Sequence, residues 1–166
     1  HATTRGCLLA LDALAKWGRP DLVLDIGTGT GILAIAAALA FDRPVVATDN
    51  DPIAVEIAEE NAAKAGVSQS VHAFVAEGLQ HPTLRRLAPD LIVANILARP
   101  LYDLAPAIAQ TVEPGGYVLL SGITKPQAWA TTARYASLGF VLEKRILLDG
   151  WAALLLGRRN ASTLFD

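Results

Sequence analysis

The chain is expected to fold as an α/β domain built on a mostly parallel β-sheet with helices on both faces. Segments of strand length and helix length alternate along almost all of its 166 residues, an order typical of such sheets. The strand segments are apolar at consecutive positions, as burial on both faces requires. The last two strand segments are joined by a short link at Asp149-Gly150, which predicts a hairpin and therefore an antiparallel last strand.

In the first half of the chain, an initial helix is followed by three strands that alternate with two helices. Leucines at helical spacing predict that the initial helix runs from Thr3 to Trp17, with Thr3 or Thr4 as its cap. Asp51-Pro52 is typical of a helix cap followed by a first-turn proline, so a helix should begin there and stop at Gly66. The other elements predicted in this half are strand 22–26, helix 32–41, strand 44–48 and strand 71–75.

The second half continues the alternation and adds the final strand pair. Residues 78–89 are polar and predict a loop or a short helix. Pro114-Gly115-Gly116 predicts a turn into the fifth strand. The predicted elements are strand 91–94, helix 101–112, strand 117–121, helix 126–137, strand 140–146 and strand 151–156. Since the length fits one domain, residues 1–159 are expected to form a single domain, followed by a short tail over 160–166.

Composition excludes several classes of function. The formal net charge is −2, with 18% charged residues, so direct nucleic acid binding is not expected, because it usually requires a strong basic excess. No apolar run is long enough to cross a bilayer, so no membrane is expected as a partner. The single cysteine, Cys7, allows no internal disulfide and favours a cytoplasmic setting. His1, His72 and His81 lack the spacing of metal ligands, so no metal is expected.

The clearest candidate site is a glycine loop, Asp25-Ile-Gly27-Thr-Gly29-Thr-Gly31, between the first strand and the next helix. Glycines let a ligand lie against the backbone, and such loops lie where parallel sheets bind ligands. A dinucleotide fingerprint starting at Gly27 would need its third glycine at Ile32. An acid at position 25 disfavours an anionic pyrophosphate but suits the ammonium and sulfonium of S-adenosylmethionine. The alternatives are an NAD site and a plain strand-to-helix turn.

Polar side chains at the ends of the next two strands extend this candidate site. Asp49 ends the second strand about twenty residues past the loop, where an acid can accept hydrogen bonds from ribose hydroxyls. Proteins that bind NAD and proteins that bind S-adenosylmethionine both use such an acid. Asp49, with Asn50 beside it, therefore supports a nucleoside ligand without distinguishing between these two cofactors. Glu77 follows the third strand, where an adenine edge would lie.

Asn95 follows the fourth strand, at the position that would face the methyl group of a bound methyl donor. An amine must be neutral to attack a sulfonium carbon, and an asparagine carbonyl can accept its hydrogen bonds and direct its lone pair. A dry pocket with acceptors but no counter-charge would also lower the pKa of that amine. Asn95 is therefore the candidate catalytic residue, and an ordinary turn residue is the alternative.

Five segments match one known family in the same order along nearly the whole chain. They are His1-Ala2-Thr3-Thr4, Asp25–Gly31, Asn95–Leu101, Pro114–Gly116 and Leu120–Ile123. Together they resemble PrmA, the family of bacterial methyltransferases that act on ribosomal protein L11. The His-x-Thr-Thr opening and the Asn-Ile-Leu-Ala segment followed by Pro-Leu are the most distinctive parts of this resemblance.

The resemblance implies a seven-stranded, Rossmann-like class I methyltransferase fold, with S-adenosylmethionine as cofactor and S-adenosylhomocysteine as product. It implies methylation of amino groups of ribosomal protein L11, both a lysine side chain and the N-terminal amine. The cofactor residues carried over are Thr4, Gly27, Asp49 and Asn95. The resemblance also implies an N-terminal substrate-binding domain, which is expected to be absent from this chain because the sequence begins at His1. The alternatives are methylation of another protein lysine or a small molecule, an NAD-dependent dehydrogenase, and a non-catalytic nucleotide-binding module.

Overall fold

The structure, a computed structural model, describes residues 1–160; residues 161–166, most of the predicted tail 160–166, lie outside the described residues. The helices of the described part are α1 (Ala2–Ala15), α2 (Ile32–Phe41), α3 (Pro52–Lys64), α4 (Ala98–Thr111) and α5 (Lys125–Ala136), with a 3-10 turn at Leu84–Arg86. The strands are β1 (Val23–Ile26), β2 (Val45–Asp49), β3 (Val71–Val75), β4 (Leu91–Asn95), β5 (Tyr117–Thr124), β6 (Phe140–Leu148) and β7 (Trp151–Arg158).

The strands form one seven-stranded sheet in the order β3-β2-β1-β4-β5-β7-β6. The first five strands pair in parallel, and β7 runs antiparallel between β5 and β6. The predicted α/β fold with an antiparallel last strand is therefore confirmed. The strand order reverses between β1 and β4, and such a switch point is where open α/β sheets bind ligands.

Two hydrophobic clusters cover the two faces of this sheet. One contains residues of α1 and α2, such as Phe41, and the other contains residues of α4 and α5, such as Leu101. Along β1, Val23 belongs to the first cluster and Leu24 to the second, and all four residues of the strand are buried. Burial on both sides explains why the strand is apolar at consecutive positions.

The N-terminus of α1 differs from the prediction. The helix begins at Ala2, and its cap is His1, whose imidazole Nδ1 accepts the Thr3 N–H at 3.2 Å. The prediction that Thr3 or Thr4 caps this helix was wrong, because both lie inside its first turn. A histidine is not among the usual capping residues, and the sequence therefore pointed to the threonines instead.

The start of α4 also differs from the prediction. α4 begins at Ala98 rather than at 101, because Pro100 falls in the first helical turn, where its missing N–H would have had no intrahelical partner.

Asp51 caps α3 as predicted, its carboxylate accepting the Ile53 N–H at 2.9 Å. Among the described residues, the helices are all too short or too polar to cross a membrane.

Candidate functional site

Two neighbouring cavities open at the carboxyl ends of the central strands, and Gly27 lines both of them. The wide cleft has a volume of about 560 Å³ and is lined by Ile26, Gly27, Thr48, Asp49, Asn50, Ala76, Glu77, Gly78, Leu79, Gln80, Ile96, Leu97, Pro100 and Leu104. The narrow pocket has a volume of about 190 Å³ and is lined by Thr4, Asp25, Gly27, Thr28, Gly29, Thr30, Ile32, Leu33 and Asn95.

Most of the residues predicted to bind a cofactor lie at these two cavities. They are Asp49, Asn50 and Glu77 in the wide cleft, Thr4, Asp25, Gly29 and Asn95 in the narrow pocket, and Gly27 in both. Gly31 lines neither cavity. A Cβ at Gly31 would lie 3.0 Å from the Ala58 Cβ of α3, so helix packing accounts for this glycine, and its role in cofactor binding remains a prediction.

Asp49 at the end of β2 holds the glycine loop in place. Its Oδ2 accepts the Gly29 N–H at 2.9 Å, and its Oδ1 accepts the Asp51 N–H at 3.0 Å. The Thr28 N–H also donates to the Thr48 carbonyl at 2.9 Å. Each carboxylate oxygen can accept more than one hydrogen bond, so Asp49 keeps acceptor capacity for a ligand while it braces the loop.

Asp25 is a buried carboxyl at the base of the narrow pocket. It is only 2% exposed, and the Thr28 hydroxyl donates to its Oδ2 at 2.8 Å. Burial raises the pKa of Asp25 to about 7, although the hydrogen bonds from Thr28 and from the Ala34 backbone act in the opposite direction and the nearby Asp49 charge adds to the rise. A carboxyl in this setting is only partly ionised at neutral pH, and a cation in the pocket would favour its charged form.

This burial predicts a pH-dependent stability that Asp25→Asn should remove. The ordinary carboxyl pKa is about 3.9, so between that pH and about 7 the folded protein holds a proton that the unfolded chain has released. Stability should therefore fall as the pH rises through this window, by roughly 2–4 kcal/mol in total. The asparagine keeps an oxygen acceptor for Thr28 and carries no charge.

Denaturant unfolding of the wild type and Asp25→Asn at pH 5 and pH 8 measures this effect. The wild type should lose stability relative to the variant at the higher pH. An identical pH dependence in both proteins would show that Asp25 is not the group responsible.

Asn95 at the end of β4 lies beside the N-terminal turn of α1. Its Nδ2 donates a long hydrogen bond of 3.4 Å to Thr3 Oγ1, and Thr3 Oγ1 also lies 3.0 Å from His1 Nδ1. The Thr3 carbonyl in turn accepts from the buried Ser121 hydroxyl at 3.4 Å. Asn95 also lines the narrow pocket, and within residues 1–160 no hydrogen bond is formed to its carbonyl oxygen.

Sequence reasoning missed two parts of this site. Thr3 was expected only as a helix cap, and nothing local indicated that its hydroxyl contacts a residue 92 positions away. The apolar wall of the wide cleft was also missed. Its residues Leu97, Pro100 and Leu104 lie at helical spacing at the start of α4, but a stripe of this kind also fits an ordinary core-facing helix. No group of three or more potential metal ligands occurs within residues 1–160.

The whole domain is similar in sequence to proteins of one family. Residues 1–159 match the family model described as ribosomal protein L11 methyltransferase (PrmA). The ribosomal protein L11 methyltransferase of Rhodopseudomonas palustris is 47% identical over 159 residues, which cover 95% of this chain and 54% of that protein. That of Brucella suis is 46% identical over 157 residues, 94% of this chain and 55% of that protein. The chain thus spans about half the length of these curated relatives.

Solved structures share the fold. A crystal structure of ribosomal protein L11 methylase from Lactobacillus delbrueckii subsp. bulgaricus superposes with a TM-score of 0.83 at 33% identity, covering 96% of this chain and 80% of that one. An RNA methyltransferase from Salinibacter ruber, solved in complex with S-adenosyl-L-homocysteine, has a TM-score of 0.71 at 20% identity, covering 92% of this chain and 90% of that one. The second similarity is one of fold alone.

Proposed function

The chain belongs to the ribosomal protein L11 methyltransferase (PrmA) family, and from this premise we propose that it transfers methyl groups from S-adenosylmethionine to amino groups of ribosomal protein L11. The target amines are a lysine side chain and the N-terminal amine, and the setting is the cytoplasm. Residues 1–159 serve as the catalytic domain. Delivery of the substrate by a separate N-terminal domain, as in the family, is part of the same proposal.

The main support for this proposal is the pair of neighbouring cavities that Gly27 lines. A cleft of about 560 Å³ lies within the range that small-molecule ligands occupy. Asp49 lines it with acceptors for ribose hydroxyls, and Leu97 and Leu104 provide an apolar wall for an adenine ring. The narrow pocket, with Asp25 at its base, suits the cationic methionine end. The two cavities thus match the two chemically different halves of S-adenosylmethionine.

The chemistry assigned to the protein is binding and orientation. When bound, S-adenosylmethionine supplies an electrophilic methyl group and a good leaving group. Asn95 accepts a hydrogen bond from the incoming neutral amine through its carbonyl oxygen and so directs the lone pair of the nitrogen. Because the Asn95 amide carries no charge, it stabilises the unreactive ammonium form of the substrate less than a carboxylate would. Holding the two reactants in line provides most of the rate.

A calorimetric titration with S-adenosylhomocysteine and with NAD tests the cofactor assignment. We expect S-adenosylhomocysteine to bind and NAD not to, because Asp25 disfavours a pyrophosphate near the glycine loop and Ile32 stands where a dinucleotide fingerprint needs its third glycine. Tighter binding of NAD would contradict the proposal and favour a dehydrogenase.

A further inference from the structure

Ile96, the residue after Asn95, is enclosed between two glycines, Gly27 directly after β1 and Gly122 in β5. On the β1 side, a Cβ built at Gly27 would lie 2.6 Å from the Ile96 Cγ2. On the β5 side, a Cβ at Gly122 would lie 2.8 Å from the Ile96 carbonyl carbon and 3.0 Å from its nitrogen, with the carbonyl oxygen nearer still. Real Cβ contacts are longer than this, so Ile96 can occupy its place only while both neighbours lack a side chain.

Gly122 lies at an irregularity in β5. The register of β5 against β7 shifts between Leu120 and Ile123, and Gly122 has a φ of +85°, which a residue with a side chain adopts only at a cost. On the other edge of β5, Ser121 is paired with Asn95 of β4. The irregular segment therefore meets β4 at its last residue, the candidate catalytic Asn95.

We propose that Gly122 is a positioning residue for the Asn95 amide, an inference that rests on the proposed methyl transfer and deepens it. Because Gly122 has no side chain, the Ile96 peptide packs directly against it. This close packing fixes the main chain that follows Asn95. The Thr3 hydroxyl holds the Asn95 side chain from the α1 side. The position of the Asn95 amide at the narrow pocket is therefore set from two sides, by one hydrogen bond and by the close packing of the backbone against Gly122.

A methyl group at position 122 would displace the Ile96 peptide, and the displacement could not be absorbed locally. The Ile96 side chain already fills the space beside Gly27, so the peptide cannot move far toward β1. The shift must pass to Asn95, and a misplacement of about 1 Å can cost about 100-fold in rate. Gly122→Ala should therefore lower single-turnover methyl transfer to L11 by about 10- to 100-fold, while the S-adenosylhomocysteine dissociation constant changes much less.

Gly139→Ala is the matched control. Gly139 has a φ of +93°, and a Cβ there would meet nothing within 4 Å, so this variant carries a similar backbone strain without a steric contact. Gly139 lines neither cavity, and its variant should transfer methyl groups at the wild-type rate. A loss of rate in both variants would show that backbone strain alone is responsible and would overturn the inference.

The decisive readout is the position of the Asn95 amide, which does not depend on activity. In ¹⁵N-labelled protein, the side-chain amide resonances of Asn95, assigned by their loss in Asn95→Ala, should move in Gly122→Ala and stay in place in Gly139→Ala. Unchanged Asn95 resonances in a folded Gly122→Ala protein would overturn the inference, whatever its activity. If the wild type, with its N-terminal substrate-binding domain restored, binds cofactor but never methylates L11, the proposed function fails, while the resonances still decide the role of Gly122.

A second variant covers the case in which Gly122→Ala does not fold. Ile96→Ala removes the side chain that fills the space beside Gly27, so the double variant Ile96→Ala/Gly122→Ala gives the displaced peptide somewhere to go. We expect this protein to fold with shifted Asn95 resonances. Resonances at the wild-type position in the double variant would contradict the positioning role.

Discussion

Replacing Gly29 with valine is expected to abolish binding of S-adenosylhomocysteine while the protein stays folded. Gly29 lines the narrow pocket, and a Cβ there would meet no protein atom within 4 Å. The valine side chain would therefore stand in the space that a ligand needs against the backbone. Gly29 also has a φ of +56°, a conformation that costs a branched residue about 1–3 kcal/mol. The dissociation constant should rise by more than about 100-fold.

Gly66→Val separates obstruction of the site from loss of stability. Gly66 follows α3 with a φ of +75° and open space around its Cβ position, and it lines neither cavity. Titration of both variants with S-adenosylhomocysteine, with far-ultraviolet circular dichroism as a check on folding, should show lost binding only for Gly29→Val. Normal binding by Gly29→Val would mean that the loop does not hold the cofactor.

Asn95→Ala is expected to reduce methyl transfer far more than it weakens cofactor binding. The amide carbonyl acts on the incoming amine, and its hydrogen bond is worth most when the lone pair is aligned in the transition state. Loss of one such oriented group should cost about 2–4 kcal/mol of barrier, by analogy with loss of a single oxyanion-hole donor. Turnover should fall about 30- to 1,000-fold, while the cofactor dissociation constant moves less than about tenfold.

Single-turnover assays with radiolabelled methyl donor and L11, made on the enzyme with its N-terminal substrate-binding domain restored and paired with a cofactor titration, measure both quantities. Asn61→Ala is a suitable control, because Asn61 also touches the glycine loop, donating to the Thr30 carbonyl at 2.8 Å, yet lines neither cavity. Its methyl-transfer rate should remain close to that of the wild type. Equal losses of rate and affinity in Asn95→Ala would make Asn95 a cofactor residue only, and no loss in either would make it a turn residue.

The fold could be predicted because its signals are local. The consecutive apolar residues of β1 indicate burial on both faces, and Asp51-Pro52 marks the start of α3 through a cap and a first-turn proline. The extension of β5 to Thr124 was not predicted. It depends on the irregularity at Gly122, where the strand continues through a shift in register that no periodic pattern reveals.

The sequence allows prediction of those site residues that lie at the ends of individual strands. Gly27, Asp49 and Asn95 each follow or end an apolar strand, and parallel strands bring such ends to one edge of the sheet. The contacts between these ends could not be predicted. The Asp49 carboxylate accepts a hydrogen bond from the Gly29 N–H, so a residue proposed only as a ribose acceptor also holds the glycine loop in place. Such contacts join distant positions and depend on packing.

The most direct test of the proposed methyl transfer is the intact mass of ribosomal protein L11 after incubation with S-adenosylmethionine and this catalytic domain joined to the family's N-terminal substrate-binding domain. We expect L11 to gain mass in whole methyl increments with the wild-type protein and Asn95→Ala to suppress most of this gain. Blocking the L11 amines beforehand should prevent it. Unmodified L11, with that N-terminal domain present and S-adenosylmethionine bound, would contradict the proposed function and leave a nucleotide-binding module without transfer activity.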